Sequence, residues 1–348
     1  MQKTNAGNFF EDFRLGQTLV HATPRTVNVG DVALYQALYG GRFALQSSDE
    51  FARTSGFPRA PLDDFLAFHV VFGKTVPDIS LNAVANLGYA DCRFLAPVYP
   101  GDTLTATSEV IGLKENSNRE TGVVYVRSIG RNQAGTVVLD YVRWVMVRKR
   151  DVAAVVAQEH VPDLPKAVTA DRLVATPGTQ FSFINKDLSG SPHLWGDYET
   201  GEKIDHVDGV TIEEAEHMLA TRLYQNTAKV HFNQYTEGKG RFGRRLIYGG
   251  HVISLARSLS YNGLGNAFQV AAINGGRHVA PCFAGNTVFA WSEILDKAEL
   301  PGRLDLGALR IRTIATKDLP CGDFPGAIGK GYADGVILDL DYWVLMAR

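Results

Sequence analysis

The chain has 348 residues, 45% hydrophobic and 21% charged, a composition typical of a globular protein long enough for two domains. Its formal net charge of −2, with 35 Lys and Arg against 37 Asp and Glu, excludes the global basic field expected of a nucleic-acid-binding protein. Three widely spaced cysteines, no secretory signal and no long apolar run predict a metal-free cytoplasmic protein that does not enter a membrane.

In chain order, the first 150 residues predict two helices and then only strands. One helix is expected to begin near Asp31, and a more apolar one covers PLDDFLAFHVVFGKTV, from Pro61. Strand patterns follow in TLTATSEVIGL, VVYVRSIGRN and VVLDYVRWVMVRK, separated by the turn-forming runs ENSNRETG and NQAGT. A long helix followed by a meander of antiparallel strands predicts an α+β fold in which a curved sheet wraps the helix.

The second half repeats this order. Thr211 with Glu214 three residues later reads as a capping box and predicts the start of its first helix. The run YGGHVISLARSLSYNG, from Tyr248, predicts its central helix.

The repeat is also visible residue by residue. RFLAPVYPGDTLTATSEV, from Arg93, recurs as RHVAPCFAGNTVFAWSEI, from Arg277, an offset of 277 − 93 = 184. A matched block before it has an offset of 185 and one after it an offset of 199, which predicts an insertion in LPCGDFPGAIGKGYADG. We therefore expect two domains, residues 1–150 and 191–348, joined by a linker of residues 151–190.

These motifs resemble those of the MaoC-like dehydratases, a family that includes the (R)-specific enoyl-CoA hydratases. That family carries an Asp-x-Asn-Pro-x-His loop after its first helix and a His-Gly pair at the start of its central helix. The second half has Asn226-Thr-Ala-Lys-Val-His231 and Ile247-Tyr-Gly-Gly250 at the corresponding places. RHVAPCFAGNTV matches the family strand xFxxPVxxGDxL, with Asn286 in place of the usual Asp.

A longer run, FHVVFGKTVPDISLNAVANLGYADCRFLAPVYPGDTL, is similar to the mesaconyl-CoA hydratases within that family. The resemblance implies a double hotdog, two curved antiparallel sheets each wrapping a central helix. It implies reversible hydration of an enoyl-CoA thioester, first of all mesaconyl-CoA, with no cofactor other than the coenzyme A of the substrate. It also implies a homodimer or larger homo-oligomer. A hotdog thioesterase, a hydratase for another branched or dicarboxylic enoyl-CoA, and a non-catalytic acyl-CoA-binding protein remain alternatives.

The same resemblance assigns candidate roles at the site. His231 would be the base, since an imidazole moves protons both ways near neutral pH. Gly250 would offer its N–H, at a helix N-terminus, to the thioester oxygen. Asn226 stands where the family has Asp and would orient a water without accepting its proton. Asp63 or Asp64 would then replace the missing carboxylate, although acidic residues also fit the first turn of a helix.

Arginines are the candidates for binding the charged parts of an acyl-CoA. The loop before the second central helix offers a cluster to the coenzyme A phosphates, with a solvated basic loop as the alternative: Arg241, Arg244 and Arg245. The first half offers another set, which would pair with the distal carboxylate of a dicarboxylic acyl group: Arg42, Arg53 and Arg59.

The two halves differ at the candidate site. By the repeat, His231 corresponds to Gln46 and Gly250 to Asp64. Without a base at the equivalent place, the first half is expected to be degenerate and to shape the substrate pocket, with Asp64 among the residues lining it.

Overall fold

The computed structural model describes residues 3–155 and 158–348. In the first half the helices are α1 (Val29–Tyr39), α2 (Ala44–Ser47), α3 (Asp49–Thr54) and α4 (Asp64–Thr75). Its strands are β1 (Thr18–Thr26), β2 (Ala83–Phe94), β3 (Thr103–Glu115), β4 (Thr121–Arg131) and β5 (Val137–Arg148). The predicted central helix and the three predicted strands are therefore present.

The second half has the same order with additions. Its helices are α5 (Lys186–Ser189), α6 (Glu214–Leu223), α7 (Lys229–Phe232), α8 (Gln234–Glu237), α9 (Gly249–Leu259) and α10 (Tyr261–Leu264). Its strands are β6 (Lys203–Thr211), β7 (Gln269–His278), β8 (Thr287–Glu299), β9 (Leu306–Lys317), β10 (Ala327–Ile328), β11 (Gly331–Tyr332) and β12 (Val336–Ala347). The small β10–β11 hairpin falls inside the run predicted to be an insertion.

One antiparallel sheet of ten strands runs through both halves. Its order is β1-β3-β4-β5-β2-β7-β12-β9-β8-β6, so each half has the same strand order when read outward from the middle. At the junction, Cys92 of β2 pairs with Ile273 of β7, and Arg93 pairs with Ala272. The predicted double hotdog is confirmed, with the two predicted sheets joined edge to edge.

The central helices α4 and α9 pack inside this curved sheet. Every residue of α4 after Asp64 is buried, as expected for an apolar helix enclosed on all sides. The two helices meet through a hydrogen bond between His69 Nε2 and Ser254 Oγ (3.0 Å). Nearby, the hydroxyls of Tyr224 and Tyr39 are 2.7 Å apart. Both pairs join residues 185 positions apart, so they lie on the approximate twofold axis of the repeat.

The central helices also correct the repeat alignment. Helix α4 begins at Asp64 after its N-cap Asp63, and α9 begins at Gly249 after Tyr248. Gly250 therefore corresponds to Phe65, and its predicted correspondence with Asp64 was wrong by one residue. The helix starts are the right reference for this correspondence, because the position of an amide in the first turn of a helix sets the direction in which it points.

The predicted capping box at Thr211 is also wrong. Thr211 is the last residue of β6, and its hydroxyl lies 2.8 Å from that of Thr287 on the neighbouring strand. Helix α6 begins later, at Glu214, without a side-chain cap. In the first half, a capping box does form between Asn28 and Asp31 at the start of α1. Pairing with β8 keeps Thr211 extended.

The described part of the predicted linker contacts both halves of the sheet. His160 forms an antiparallel bridge with Leu113 of β3, and residues further along the linker pack against the second half. The carbonyl of Val168 accepts a hydrogen bond from the Trp343 indole (2.9 Å), and Phe181 stacks on Phe268 at 6.1 Å between ring centroids. Residues 156 and 157 of this segment lie outside the described residues. Among the helices of the described ranges, none is both long and apolar enough to cross a membrane.

Candidate active site

His231 lies on the one-turn helix α7, where the sequence predicted a loop. Its Nδ1 donates a hydrogen bond to the Leu246 carbonyl (3.0 Å), because a carbonyl oxygen can only accept. The tautomer is thereby set, and Nε2 keeps its lone pair. Burial lowers the pKa of His231 to about 4, so the ring is neutral at pH 7. A neutral imidazole with a free Nε2 is the form that a general base needs.

The start of α9 presents two unpaired backbone amides. Tyr248, its N-cap, donates its own amide to His217 Nε2 (2.9 Å). Within the part of the chain that is described, the amides of Gly249 and Gly250 make no hydrogen bond. A Cβ on Gly250 would lie 2.4 Å from the Tyr248 ring and 2.5 Å from the His69 ring, so only glycine fits there. Such amides carry partial positive charge and suit a developing oxyanion.

Tyr248 joins these two features. Its ring centroid lies 5.4 Å from that of His231, and it immediately precedes Gly249 in the chain. On the other side, the His278 ring packs so closely that a Cβ on Gly249 would lie 2.2 Å from its Cε1. Burial lowers the pKa of His278 to about 4. The structure thus brings His231 and Gly250 together, and it adds Tyr248 and His278, to which the sequence assigned no role.

Asn226 supports the turn that leads into α7. It is 1% exposed. Its backbone amide donates to the Thr221 carbonyl (2.9 Å), and its side-chain Oδ1 accepts a hydrogen bond from the Ala228 backbone amide (3.3 Å). It lies in the same connecting segment as His231, and no hydrogen bond joins the two side chains among the described residues. The geometry gives Asn226 a positioning role for the loop.

The acidic pair at the start of α4 lies apart from His231. Asp63 Oδ1 accepts from the Phe65 amide (2.9 Å) and from the Tyr35 hydroxyl (3.3 Å). Asp64 Oδ2 accepts from the Val270 amide (2.7 Å), and burial raises the pKa of Asp64 to about 8. These contacts support the capping interpretation. They do not bring either carboxylate to the place of the missing family aspartate, and they direct Asp64 to β7.

The predicted coenzyme A arginines fall into two groups. Arg241 and Arg244 are exposed, with the Arg244 guanidinium 4.0 Å above the Phe283 ring. Arg245 is already paired with Glu214 at 3.0 Å. Only the first two therefore have guanidinium groups open to a phosphate.

The first-half arginines have their contacts elsewhere. Arg42 lines a cavity of about 630 Å³, which also reaches Ser258 near the C-terminal end of α9. Neither His231 nor Gly250 lines that cavity. Arg53 pairs with Asp49 at the surface, and Arg59 donates to the Pro100 carbonyl. The structure does not bring Arg42, Arg53 or Arg59 to His231.

The repeat-related site in the first half is filled. Gln46, in place of the histidine, donates through Nε2 to the Phe268 carbonyl (2.6 Å), and its backbone carbonyl accepts from the Gln36 side-chain amide (2.9 Å). The Arg257 guanidinium packs 3.6 Å over the Phe43 ring beside it. The cavity between α1, Gln46 and the start of α4 holds only about 20 Å³. At this place the first half therefore offers neither a base nor a cavity large enough for a substrate.

In residues 3–155 and 158–348, no three His, Cys, Asp or Glu side chains are grouped as metal ligands. All three cysteines are buried as free thiols: Cys92, Cys282 and Cys321.

The fold and this arrangement of residues define a MaoC-like double hotdog protein. The solved structure of a MaoC domain protein dehydratase from Chloroflexus aurantiacus is 65% identical, with a TM-score of 0.98 over 100% of this chain and 99% of that one. A conserved hypothetical protein of Mycobacterium tuberculosis, described as a double hotdog, shares the fold with a TM-score of 0.75, at 22% identity and 99% coverage of each chain.

Sequence comparison identifies the family. A family model described as mesaconyl-CoA hydratase matches residues 1–322. The β-methylmalyl-CoA dehydratase of Chloroflexus aurantiacus is 65% identical over 347 residues, 99% of both chains. The mesaconyl-CoA hydratase of Cereibacter sphaeroides is 62% identical over 352 residues, 99% of this chain and 100% of its own. The chain belongs to the mesaconyl-CoA hydratase family, which confirms the predicted class, a hydro-lyase of the MaoC-like type.

Proposed function

We propose that this chain catalyses the reversible hydration of mesaconyl-CoA to β-methylmalyl-CoA. The names of the two relatives that are 65% and 62% identical over their full length supply the substrate. The observation that carries the chemistry is the neutral His231, held through Nδ1 by Leu246, beside the free amides of Gly249 and Gly250.

The reaction adds one water across the carbon–carbon double bond. The Gly250 amide donates to the thioester oxygen, which takes up negative charge as the enolate forms. His231 Nε2 removes a proton from water while the water oxygen bonds to the β-carbon and the π electrons move towards the thioester. The α-carbon then takes a proton from the imidazolium, so that H and OH are added and no oxidant or reductant is consumed.

The remaining parts of the proposal concern recognition. The exposed guanidiniums of Arg241 and Arg244 would meet the coenzyme A phosphates. Asn226 would orient the attacking water through the loop that it supports. The first half, residues 1–150, would shape the acyl pocket, and residues 191–348 would supply the reacting groups. We further propose that the chain works in the cytoplasm, as a homodimer or larger assembly, with no cofactor beyond the coenzyme A of its substrate.

A spectrophotometric assay tests the proposed function. Purified protein with mesaconyl-CoA should remove the absorbance of the conjugated thioester until equilibrium is reached, and β-methylmalyl-CoA should restore it from the other side. A thiol reagent in parallel samples detects free coenzyme A. Thiol release at the same rate as the absorbance loss would identify a thioesterase and contradict a hydratase.

A further inference from the structure

Arg143, on β5, is a fully buried arginine whose donors are only partly used. Its side chain is 0% exposed, and Nη2 donates to Thr75 Oγ1 (2.7 Å) and Ser80 Oγ (3.4 Å). Its Nε and Nη1 are buried without a hydrogen-bond partner among the described residues. A guanidinium stays charged in a protein, and a buried charge without a counter-ion is costly. The incomplete pairing of the buried Arg143 guanidinium therefore calls for an explanation.

Other arginines of the sheet have carboxylate counter-ions. Four of them each form an ion pair with an aspartate: Arg93 and Arg127 with Asp140, Arg310 with Asp341, and Arg312 with Asp339. Arg143 instead has aromatic neighbours, with its guanidinium 4.2 Å over the Phe72 ring and Tyr89 opposite it across the β2–β5 pair. Among the described residues, no carboxylate forms a salt bridge with Arg143.

The contacts of Arg143 lead towards the candidate active site. Phe72 lies between it and Tyr248, with 5.8 Å between the Phe72 and Tyr248 ring centroids. Tyr89 lies 6.2 Å from His278, the histidine that packs on Gly249. Two paths of aromatic rings therefore connect this guanidinium with the start of α9.

The repeat-related position in the second half carries no charge. Trp144 and Trp343 are the matched tryptophans of β5 and β12, so Arg143 corresponds to Tyr342. The Tyr342 hydroxyl lies 3.0 Å from Thr313 Oγ1 and is thereby satisfied. Arg143 is thus an asymmetric feature of the first half, at a position where the second half has a neutral tyrosine.

We propose that Arg143 binds the free carboxylate of a dicarboxylic acyl group whose thioester lies at the N-terminus of α9. The proposal rests on the proposed function, since it places that substrate's second carboxylate. The planar guanidinium would pair with the carboxylate through its two unused donors, Nε and Nη1. Arg143 then takes the role that the sequence suggested for Arg42, Arg53 and Arg59, and the first half selects the acyl group.

A binding measurement tests this role without requiring turnover. Succinyl-CoA and butyryl-CoA are saturated thioesters that differ in carrying a carboxylate or a methyl group at the distal end. Calorimetric titration of the intact chain should show tighter binding of succinyl-CoA. Arg143→Met should weaken succinyl-CoA binding about 100-fold, as for removal of one partner of a buried charge pair, and should change butyryl-CoA binding less than about threefold.

Two further variants make the result specific. Arg143→Lys keeps the charge without the planar fork and should lose an intermediate amount of succinyl-CoA affinity. Arg257→Met removes a buried arginine of the filled site and should affect both thioesters alike. Thermal unfolding checks that each variant folds, and if Arg143→Met does not, the lysine variant decides.

Equal losses for both thioesters on changing Arg143 would overturn the carboxylate role and leave a structural one. This outcome is distinguishable from failure of the proposed function. A wild-type chain that binds succinyl-CoA through Arg143 but does not hydrate mesaconyl-CoA would contradict only the proposed reaction. A chain that hydrates mesaconyl-CoA with unchanged selectivity in Arg143→Met would contradict only the inference.

Discussion

At the scale of single residues, one backbone carbonyl decides how His231 can act. Leu246 accepts from Nδ1 and leaves Nε2 as the basic nitrogen, while Tyr248 packs against the ring and leads directly into the glycines. A single contact network therefore orients both the base and the amides. Their relative position depends on the residues 246–250 between α8 and the body of α9.

Replacing His231 should remove the base and keep the fold. His231→Ala and His231→Gln should lower kcat for hydration by about 10²- to 10⁴-fold, the usual contribution of a positioned general base. Stopped-assay or absorbance kinetics would measure this. His193→Ala is a matched control, since His193 is exposed and lines the separate cavity of about 630 Å³. A large loss in the control with normal activity at His231→Ala would move the site to that cavity.

The sequence could predict some of these residues and not others. His231 and Gly250 belong to a motif with fixed spacing, and the resemblance identified both. Arg143 belongs to the strand VVLDYVRWVMVRK, where Asp140 and Arg143 point to opposite faces because side chains alternate. The sequence does not say which face is inward. The structure shows that Arg143 is fully buried beside Phe72, while Asp140, which is 7% exposed, pairs with Arg127.

At the scale of elements, the two central helices shape each other's neighbouring loops. Gly73, near the end of α4, lies against the segment after α6: a Cβ there would lie 1.7 Å from the Tyr224 carbonyl oxygen and 3.4 Å from the Asn226 amide. The first half thus supports the loop that carries the base of the second. Helix α6 itself begins after a strand that runs further than its capping signal suggested, because the pairing of Thr211 with Thr287 outweighs a local preference.

Adding a methyl group at Gly73 should disturb this support. Gly73→Ala should lower the free energy of unfolding by about 1–3 kcal/mol, as expected for overpacking, and should reduce hydration as the loop with Asn226 shifts. Urea unfolding and kinetics would measure both. At Gly41, which the repeat relates to Asn226, a Cβ would meet only Ser258 Oγ at 3.7 Å. Gly41→Ala should therefore be close to wild type, and equal stability of the two variants would contradict the packing argument.

At the scale of the whole molecule, the interior contains many neutral histidines. Burial lowers the pKa of His69 and His251 to about 3, of His206 to about 4 and of His217 to about 2. Their partners include the hydroxyls of Ser254 and Tyr39 at the interface between the halves. The internal repeat predicted that the two halves have the same elements in the same chain order, as the structure shows. It did not predict the β2–β7 junction, since pairing between two sheet edges depends on tertiary packing.

These histidines should make the fold sensitive to acid. Below pH 6.5 these histidines bind protons in the unfolded chain but stay neutral in the folded chain. The free energy of unfolding therefore falls as the pH is lowered towards the folded pKa values. Each of the four histidines contributes up to about 1.4 kcal/mol per pH unit. The raised pKa values of Asp63 and Asp64 increase the free energy of unfolding as the pH is lowered, but only these two carboxyl groups oppose the four histidines. Urea titrations at pH 5, 6, 7 and 8 should show a steep loss below pH 6.5, and a flat profile would contradict the buried, neutral state.

The joining of both halves in one chain through β2 and β7 also has a genetic consequence. When two identical chains assemble, any substitution appears in both copies, so a change that destroys one site destroys its twin. In a fused chain, each half can carry a substitution that the other half does not have. Gln46 can therefore stand where the other half has His231, and Arg143 can stand where the other half has Tyr342. Dilution cannot separate the two partners either, because their local concentration is set by the linker and the shared sheet.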